Sequence, residues 1–506
     1  MRRRTILTGL GASPLALAAC STGEGVDTGN GSGGAAAFVA AISAQPDQYD
    51  PHKSTAYPTF QVLENVYDTL VVPSADDLTM EPSLATEWTT SDDQLTWTFT
   101  LRDGVTFHSG AEFGAEDVVF SYKRIIDQQL ANAFRFETVA DVTAPDPRTV
   151  VLTLSSPTPS LLSQLGGFKG MAILPRGVDE ATLTTQADGT GPFRLTATSA
   201  SEVNLERFDD YWGDAPTLTG VTFRFITEPS AALTAVQTDQ VQWTDNVPPQ
   251  QVEALGSDDR VELGRVASVD YWYFAMNCRK APFDRVEVRR AVAEAVDRAA
   301  VTEAARFDAA RANQTAIPED SFWYEDYAPW TGDVDKAKGL LEGAGVSLPL
   351  TMGLMVTSEY PETVTAAQVL AAQLEPLGVR VEIQTEDFAA WLDRQGRGDF
   401  DAFMLGWLGN IDPYDFYHSQ HRTDGSNNYQ GYSNPVTDDL LDRAATETDQ
   451  GTRKDLYGQA ARQIVDDASY VYLYNPDVVQ AWKPGIEGYE VRADKAVNLE
   501  TVTLPS

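Results

Sequence analysis

The sequence predicts an α/β protein of at least two lobes, and two observations carry that reading. The chain has 506 residues, and a single hydrophobic core stops growing well short of that length, so it should divide into two or three domains. Its texture also changes along the way. The pattern is mixed before residue 190, strands predominate from Gly191 to Arg265, and from about 270 helices alternate with short apolar strands. That last alternation indicates a largely parallel sheet. With 42% hydrophobic and 10% aromatic residues, the chain has the apolar material to fill such cores.

At the start, Arg2-Arg3-Arg4 precedes an apolar run from Thr5 to Ala16, and Leu17-Ala18-Ala19-Cys20 closes it. A cationic start, an apolar segment too short to span a bilayer and small residues at its end make a cleaved export signal, 1–19. Gly9, Gly11 and Pro14 argue against a buried helix here. A cysteine straight after Leu-Ala-Ala resembles the lipobox of prokaryotic lipoproteins, which implies acylation of Cys20. The consecutive arginines also resemble a twin-arginine signal. Ser21 to Gly34 is glycine-rich with almost no apolar residue, and 20–36 reads as a flexible tether. No later window offers eighteen consecutive apolar residues, so the body is expected to meet the membrane only through that lipid.

In the body, Leu95 to Leu101 alternates apolar with polar residues, which predicts a half-buried strand. Arg102-Asp103-Gly104 should turn the chain into Val105-Thr106-Phe107 as a hairpin partner. Ala115 to Ile126 places Val118, Val119, Tyr122, Ile125 and Ile126 at helical spacing. Thr149 to Leu154 and Val221 to Ile226 read as strands, and Pro229 to Val236 as a helix. The second half predicts helices over Val286 to Ala305, Val334 to Gly343, Thr363 to Leu377 and Phe388 to Gly396. Strands fall over Val379 to Ile383 and Phe400 to Trp407.

The formal charge is −37, from 74 acidic and 37 basic residues. Spread along the chain rather than gathered in a tail, it gives a generally acidic surface and argues against nucleic-acid or anionic-membrane partners. With Cys20 committed to lipid, Cys278 is the one remaining thiol and reads as a small buried apolar residue. No Gly-x-Ser-x-Gly elbow, His-Glu-x-x-His or phosphate-cradling Gly-x-x-x-x-Gly-Lys occurs, so the sequence carries no hydrolase or nucleotide signature. A lipid-anchored hydrolase using a carboxylate pair is the rival of another class.

One ordered series of residues stands out. Leu84-Ala85-Thr86-Glu87-Trp88 is followed by Leu95 to Gly110 and by Ala115-Glu116-Asp117-Val118-Val119-Phe120-Ser121. It resembles the signature of extracellular solute-binding proteins of the peptide, nickel and oligosaccharide class, family 5, which serve ATP-driven (ABC) importers. Asp50-Pro51-His52-Lys53, Gly189 to Phe193, Phe208 to Gly213, Asn277, Ala281 to Asp284, Val288 to Ala291 and Gly431 to Pro435 fit in the same order.

The resemblance covers about 37 to 500 and implies a bilobal periplasmic-binding-protein type II fold with an extra subdomain and a hinge. Lobe I is expected over 37–52, 186–270 and 484–506, its extra subdomain over 53–185, and lobe II over 271–483. The implied role is an extracytoplasmic receptor that needs no cofactor or metal and performs no catalysis. As a monomer on the outer face of the cell membrane or in the periplasm, it would deliver a peptide or similar small oligomer to an ABC permease and ATPase complex. An oligosaccharide or chelated nickel is the alternative cargo.

Carried over position by position, the resemblance implies ligand contacts from Thr55, Ala56 and Tyr57, and from the segment Gly406 to Pro413, with Trp407, Asn410, Asp412, Asp415 and Tyr417 as candidates. Close peptide-binding relatives carry an aspartate three residues after the tryptophan, and this chain has Asn410. An amide lacks the charge that makes an ammonium contact strong. Either Asp412 substitutes, or the ligand has no free α-amino group. Trp407 offers a flat apolar face to a ligand or fills the core, and Asp412 before Pro413 equally suits a helix cap. His418 and His421, three apart with no further ligands in view, read as exposed surface histidines rather than a metal pair.

Overall fold

The computed structural model of the protein describes residues 38–167, 169–408 and 411–505. The export signal, Cys20 and the tether lie outside them, as does Asn410. Strand Tyr271–Met276 is buried at all six positions, because antiparallel neighbours flank it on both sides and cores cover both its faces. It is one strand of a twelve-stranded sheet. From one edge this runs Val379–Glu386, Leu350–Thr357, Ala402–Trp407, Tyr271–Met276, Val471–Trp482, Trp243–Thr244, Phe38–Ile42, Gly220–Phe225, Glu202–Arg207 and Phe193–Thr198. Glu262–Ala267 and Ala310–Ala312 also pair with Val471–Trp482.

The second half is mixed rather than largely parallel. Leu350–Thr357 runs parallel to Val379–Glu386 and Ala402–Trp407, joined through helices Pro361–Leu374 and Phe388–Arg397, as parallel pairing requires. Tyr271–Met276 pairs antiparallel with both Ala402–Trp407 and Val471–Trp482. The helix expected over 286–305 is two helices, Val286–Glu294 and Arg298–Arg306. Asp297 breaks it, accepting the Ala300 N–H at 3.1 Å as an N-cap.

A separate four-stranded antiparallel sheet is ordered Ala85–Thr90, Thr96–Leu101, Thr149–Leu154, Val139–Asp146. Thr96–Leu101 therefore pairs with Ala85–Thr90 and Thr149–Leu154, not with Val105–Phe107 as expected. That tripeptide instead folds back on itself, the Phe107 N–H donating to Ala111 O at 2.8 Å, and contributes only the bridge Thr106–Glu112. Helix Ala115–Asp127 covers the sheet, and its Val118, Tyr122 and Ile125 share a core with Phe99 and Leu152. The Asp117 carboxylate accepts the Gly114 N–H at 2.8 Å at the helix start.

Distinct cores thus fill the molecule: one around Phe38, Phe223 and Trp243, one in the smaller sheet, and two on either side of Tyr271–Met276. Together they form a two-lobed α/β architecture with an additional subdomain. Among the described residues no helix is long and apolar enough to cross a membrane.

A buried ionic cluster ties the subdomain helix to the first lobe. Arg124 donates to both oxygens of Asp50, at 3.0 and 2.6 Å, and to Glu180 at 3.0 Å. Arg124 is also 2.8 Å from His52 Nδ1, and His52 Nε2 is 2.8 Å from Ala172 O. Since the guanidinium only donates, Nδ1 accepts and Nε2 carries the proton. Burial holds His52 down at about 4, neutral under ordinary conditions.

Candidate functional site

The chain passes between lobes at two adjacent places. Glu262–Ala267 belongs to the first lobe's sheet and Tyr271–Met276 to the second, with Ser268, Val269 and Asp270 between. Val471–Trp482 changes partner in mid-strand, pairing with Tyr271–Met276 up to Tyr474 and with Glu262–Ala267 from Asp477. The two passages are stitched together. Ser268 Oγ donates to Pro476 O at 2.7 Å, and Asn475 Nδ2 donates to Asp270 O at 2.8 Å.

On the first lobe's side, Thr55 is exposed and Ala56 and Tyr57 are half-buried. Tyr57 opens the helix Tyr57–Leu63, with Pro58 in its first turn where the missing N–H costs nothing. The Tyr57 hydroxyl donates to Lys495 O at 3.3 Å, and the Lys495 ammonium sits 5.5 Å from the Tyr57 ring centre while pairing with Asp270 at the passage. One turn along the helix, Gln61 Nε2 donates to Asp245 Oδ2 at 2.7 Å. Burial pushes the Asp245 carboxyl up to about 6 against the opposing pull of Tyr57, Lys495 and Gln61.

On the second lobe's side, Trp407 ends strand Ala402–Trp407 opposite Tyr271. It is half-buried at the margin of the core that holds Trp391, Phe416 and Tyr417, while the next residue, Leu408, is 42% exposed. Asp412 meets Arg453 with both oxygens at 2.7 Å and also accepts the Tyr414 N–H at 2.9 Å. It is therefore a helix-start cap as well as half of a buried bidentate pair. Arg453 lies over the rings of Trp323 and Tyr457, at 5.0 and 5.2 Å. Asp415 accepts from Arg135 of the extra subdomain at 3.0 Å. Burial pushes its carboxyl up, and Arg135 offsets only part of that. Tyr417 is 1% exposed and packs within the core.

Tyr57 and Trp407 thus approach the same passage from opposite lobes, whereas Asp412, Asp415 and Tyr417 are engaged by other parts of the protein. Gln61, Asp245, Lys495 and the arginines that hold the two aspartates were not singled out from the sequence. They come from segments remote in the chain, and only the apolar spacing of Phe60, Leu63 and Val66 around Gln61 hinted at a helix there.

The histidines differ from expectation. His421 is fully buried, with Nδ1 2.9 Å from Ser469 Oγ and Nε2 2.9 Å from the Tyr472 hydroxyl. Both ring nitrogens are used by the protein. Its apolar surroundings, set by strand Val471–Trp482, were invisible from its local sequence. His418 is partly buried, stacked on Tyr414 and 3.4 Å from Asp442. Cys278 is half-buried, its Sγ 3.5 Å from Met276 O.

The family model described as bacterial extracellular solute-binding proteins, family 5, middle region, matches residues 79–428. A probable D,D-dipeptide-binding periplasmic protein of Escherichia coli (strain K12) is 28% identical over 469 residues, covering 89% of this chain and 91% of the relative. The dipeptide-binding protein of the same organism is 27% identical over 492 residues, covering 90% and 92%. Among solved structures, an ABC transporter-associated periplasmic binding protein from Helicobacter pylori in complex with the peptide STSA superposes with a TM-score of 0.83 at 26% identity. That match covers 93% of this chain and 98% of the other. With a family model matched over more than half its length, this chain belongs to the bacterial extracellular solute-binding proteins, family 5.

Proposed function

We propose that this protein is the peptide receptor of an ABC importer, closing its two lobes on the solute and handing it to the permease. The observation that carries the reading is the match along nearly the whole chain to dipeptide-binding relatives and to a peptide-bound structure. Its task is binding rather than catalysis. Thr55, Ala56 and Tyr57 contribute from one wall, and Trp407 with Asn410 from the other. Lobe I comprises 37–52, 186–270 and 484–506, the extra subdomain 53–185 and lobe II 271–483. Cys20 carries the lipid that holds the body, a monomer, at the outer face of the membrane. Backbone hydrogen bonding to an extended peptide, with roomy wet pockets for side chains, suits a receptor that accepts many sequences. Mass spectrometry of solutes released by denaturing protein purified from its native host tests this. A ladder of short peptides supports the reading; a sugar oligomer or a metal chelate overturns the peptide assignment while leaving the receptor role.

A further inference from the structure

Of the carboxylates described above, Asp412 is held by Arg453, Asp415 by Arg135 and Asp270 by Lys495. Asp245 is different. Its carboxylate retains partial exposure and receives Gln61 Nε2 at 2.7 Å, and no arginine pairs with it among the described residues. The neighbouring cation, Lys495, is paired with Asp270.

The second observation lies on Gln61. This side chain is 1% exposed, and its Oε1 has no hydrogen-bond partner among the described residues. Turning the amide over would set Oε1 against the Asp245 oxygen, acceptor against acceptor, so the Nε2 bond fixes the orientation. A buried acceptor without a protein donor is met by a water or by a bound group. The result is a carboxylate that accepts from Gln61 Nε2 and stands beside Tyr57, next to an amide oxygen without a donor; a primary ammonium, which supplies three donors, could serve both.

We propose that Asp245 and Gln61 form a primary-ammonium subsite on the first lobe's wall of the cleft, receiving an amino group of the bound peptide. This rests on the peptide reading above and adds where the charged end is held. The raised Asp245 carboxyl agrees with a buried group whose neighbours Tyr57, Lys495 and Gln61 only partly offset its burial.

The test uses solute-stripped protein and a casein hydrolysate of short peptides, analysed by native mass spectrometry. The pool is offered untreated, with all amines acetylated, or with lysine side chains alone guanidinated. Wild type is expected to retain the untreated pool at least tenfold better than the acetylated one. Asp245→Asn and, as a second variant, Gln61→Leu are expected to lose that preference while keeping a cooperative melt. Retention of the guanidinated pool assigns the α-amino group, and its loss assigns the lysine side chain; both support the subsite. Equal retention of acetylated and untreated peptides by wild type, or an unchanged preference in Asp245→Asn, overturns it and leaves peptide binding standing. A folded wild type that retains no pool at all overturns the peptide reading and the subsite with it.

Discussion

Asp412 and Asp415 each meet an arginine, yet the two pairs do different work. Arg453 is nearly buried and holds Asp412 bidentately, and removing one partner of such a pair strands the other charge away from water. Arg453→Ala should cost about 3 to 5 kcal/mol of stability in urea unfolding, where a surface pair would cost less than about 1. Asp245 predicts the reverse sign. Its carboxyl stands at about 6 instead of the usual 3.8, so the protonated form is favoured in the folded state, and the stability it contributes in acid is lost as pH rises through that range. Asp245→Asn should therefore stabilise the solute-free protein above neutral pH, by roughly 1 kcal/mol after allowance for its partial exposure. Trp407, half-buried at a core margin, separates two roles by measurement. If its ring contacts solute, Trp407→Ala weakens peptide affinity by roughly 1 to 3 kcal/mol; unchanged affinity with a lower melting temperature makes it a core residue.

At the scale of elements, His421 clamps its short helix to strand Val471–Trp482 through Tyr472 and to Ser469 just before it. Burial lowers His421 to about 3 and His52 to about 4, against an ordinary 6.5. Between pH 6.5 and 4 the unfolded chain takes up protons that these native imidazoles refuse, so stability falls as pH falls. Each histidine contributes up to about 1.4 kcal/mol per pH unit in that window. Urea unfolding across it should show His421→Gln with a shallower slope than wild type. The elements themselves were largely legible: helix Val334–Gly343 coincides with its apolar spacing, and the alternation at Thr96–Leu101 is a strand. Pairing was not legible. The partner of Thr96–Leu101 depends on which strands share its core, and the break at Asp297 depends on a cap competing with a continuous apolar stripe. His421 failed for a similar reason, because its burial is conferred by neighbours about fifty residues on.

For the whole molecule, the lobes are joined by backbone passages at Ser268–Asp270 and Asn475–Asp477 and touch again at Arg135–Asp415. Arg135 neighbours Phe136 of the subdomain core, and Asp415 neighbours Phe416 of the second lobe's core, so this ion pair spans the two, and an opening between them would break it. Arg135→Ala should lower peptide affinity about tenfold by favouring the open form, and should also lower urea stability, because it leaves the buried Asp415 carboxylate without its partner. The two-lobed plan was legible from length and texture. Near the two passages the sequence pointed to Tyr57 and the Trp407 segment, whereas Asp245, Gln61, Arg135 and Arg453 are placed by tertiary contacts that no local pattern records. The claim that the lobes close on peptide is tested most directly by small-angle X-ray scattering of solute-stripped protein before and after saturation with the peptide pool. A smaller radius of gyration on binding is the predicted result; an unchanged profile with peptide demonstrably bound would contradict it.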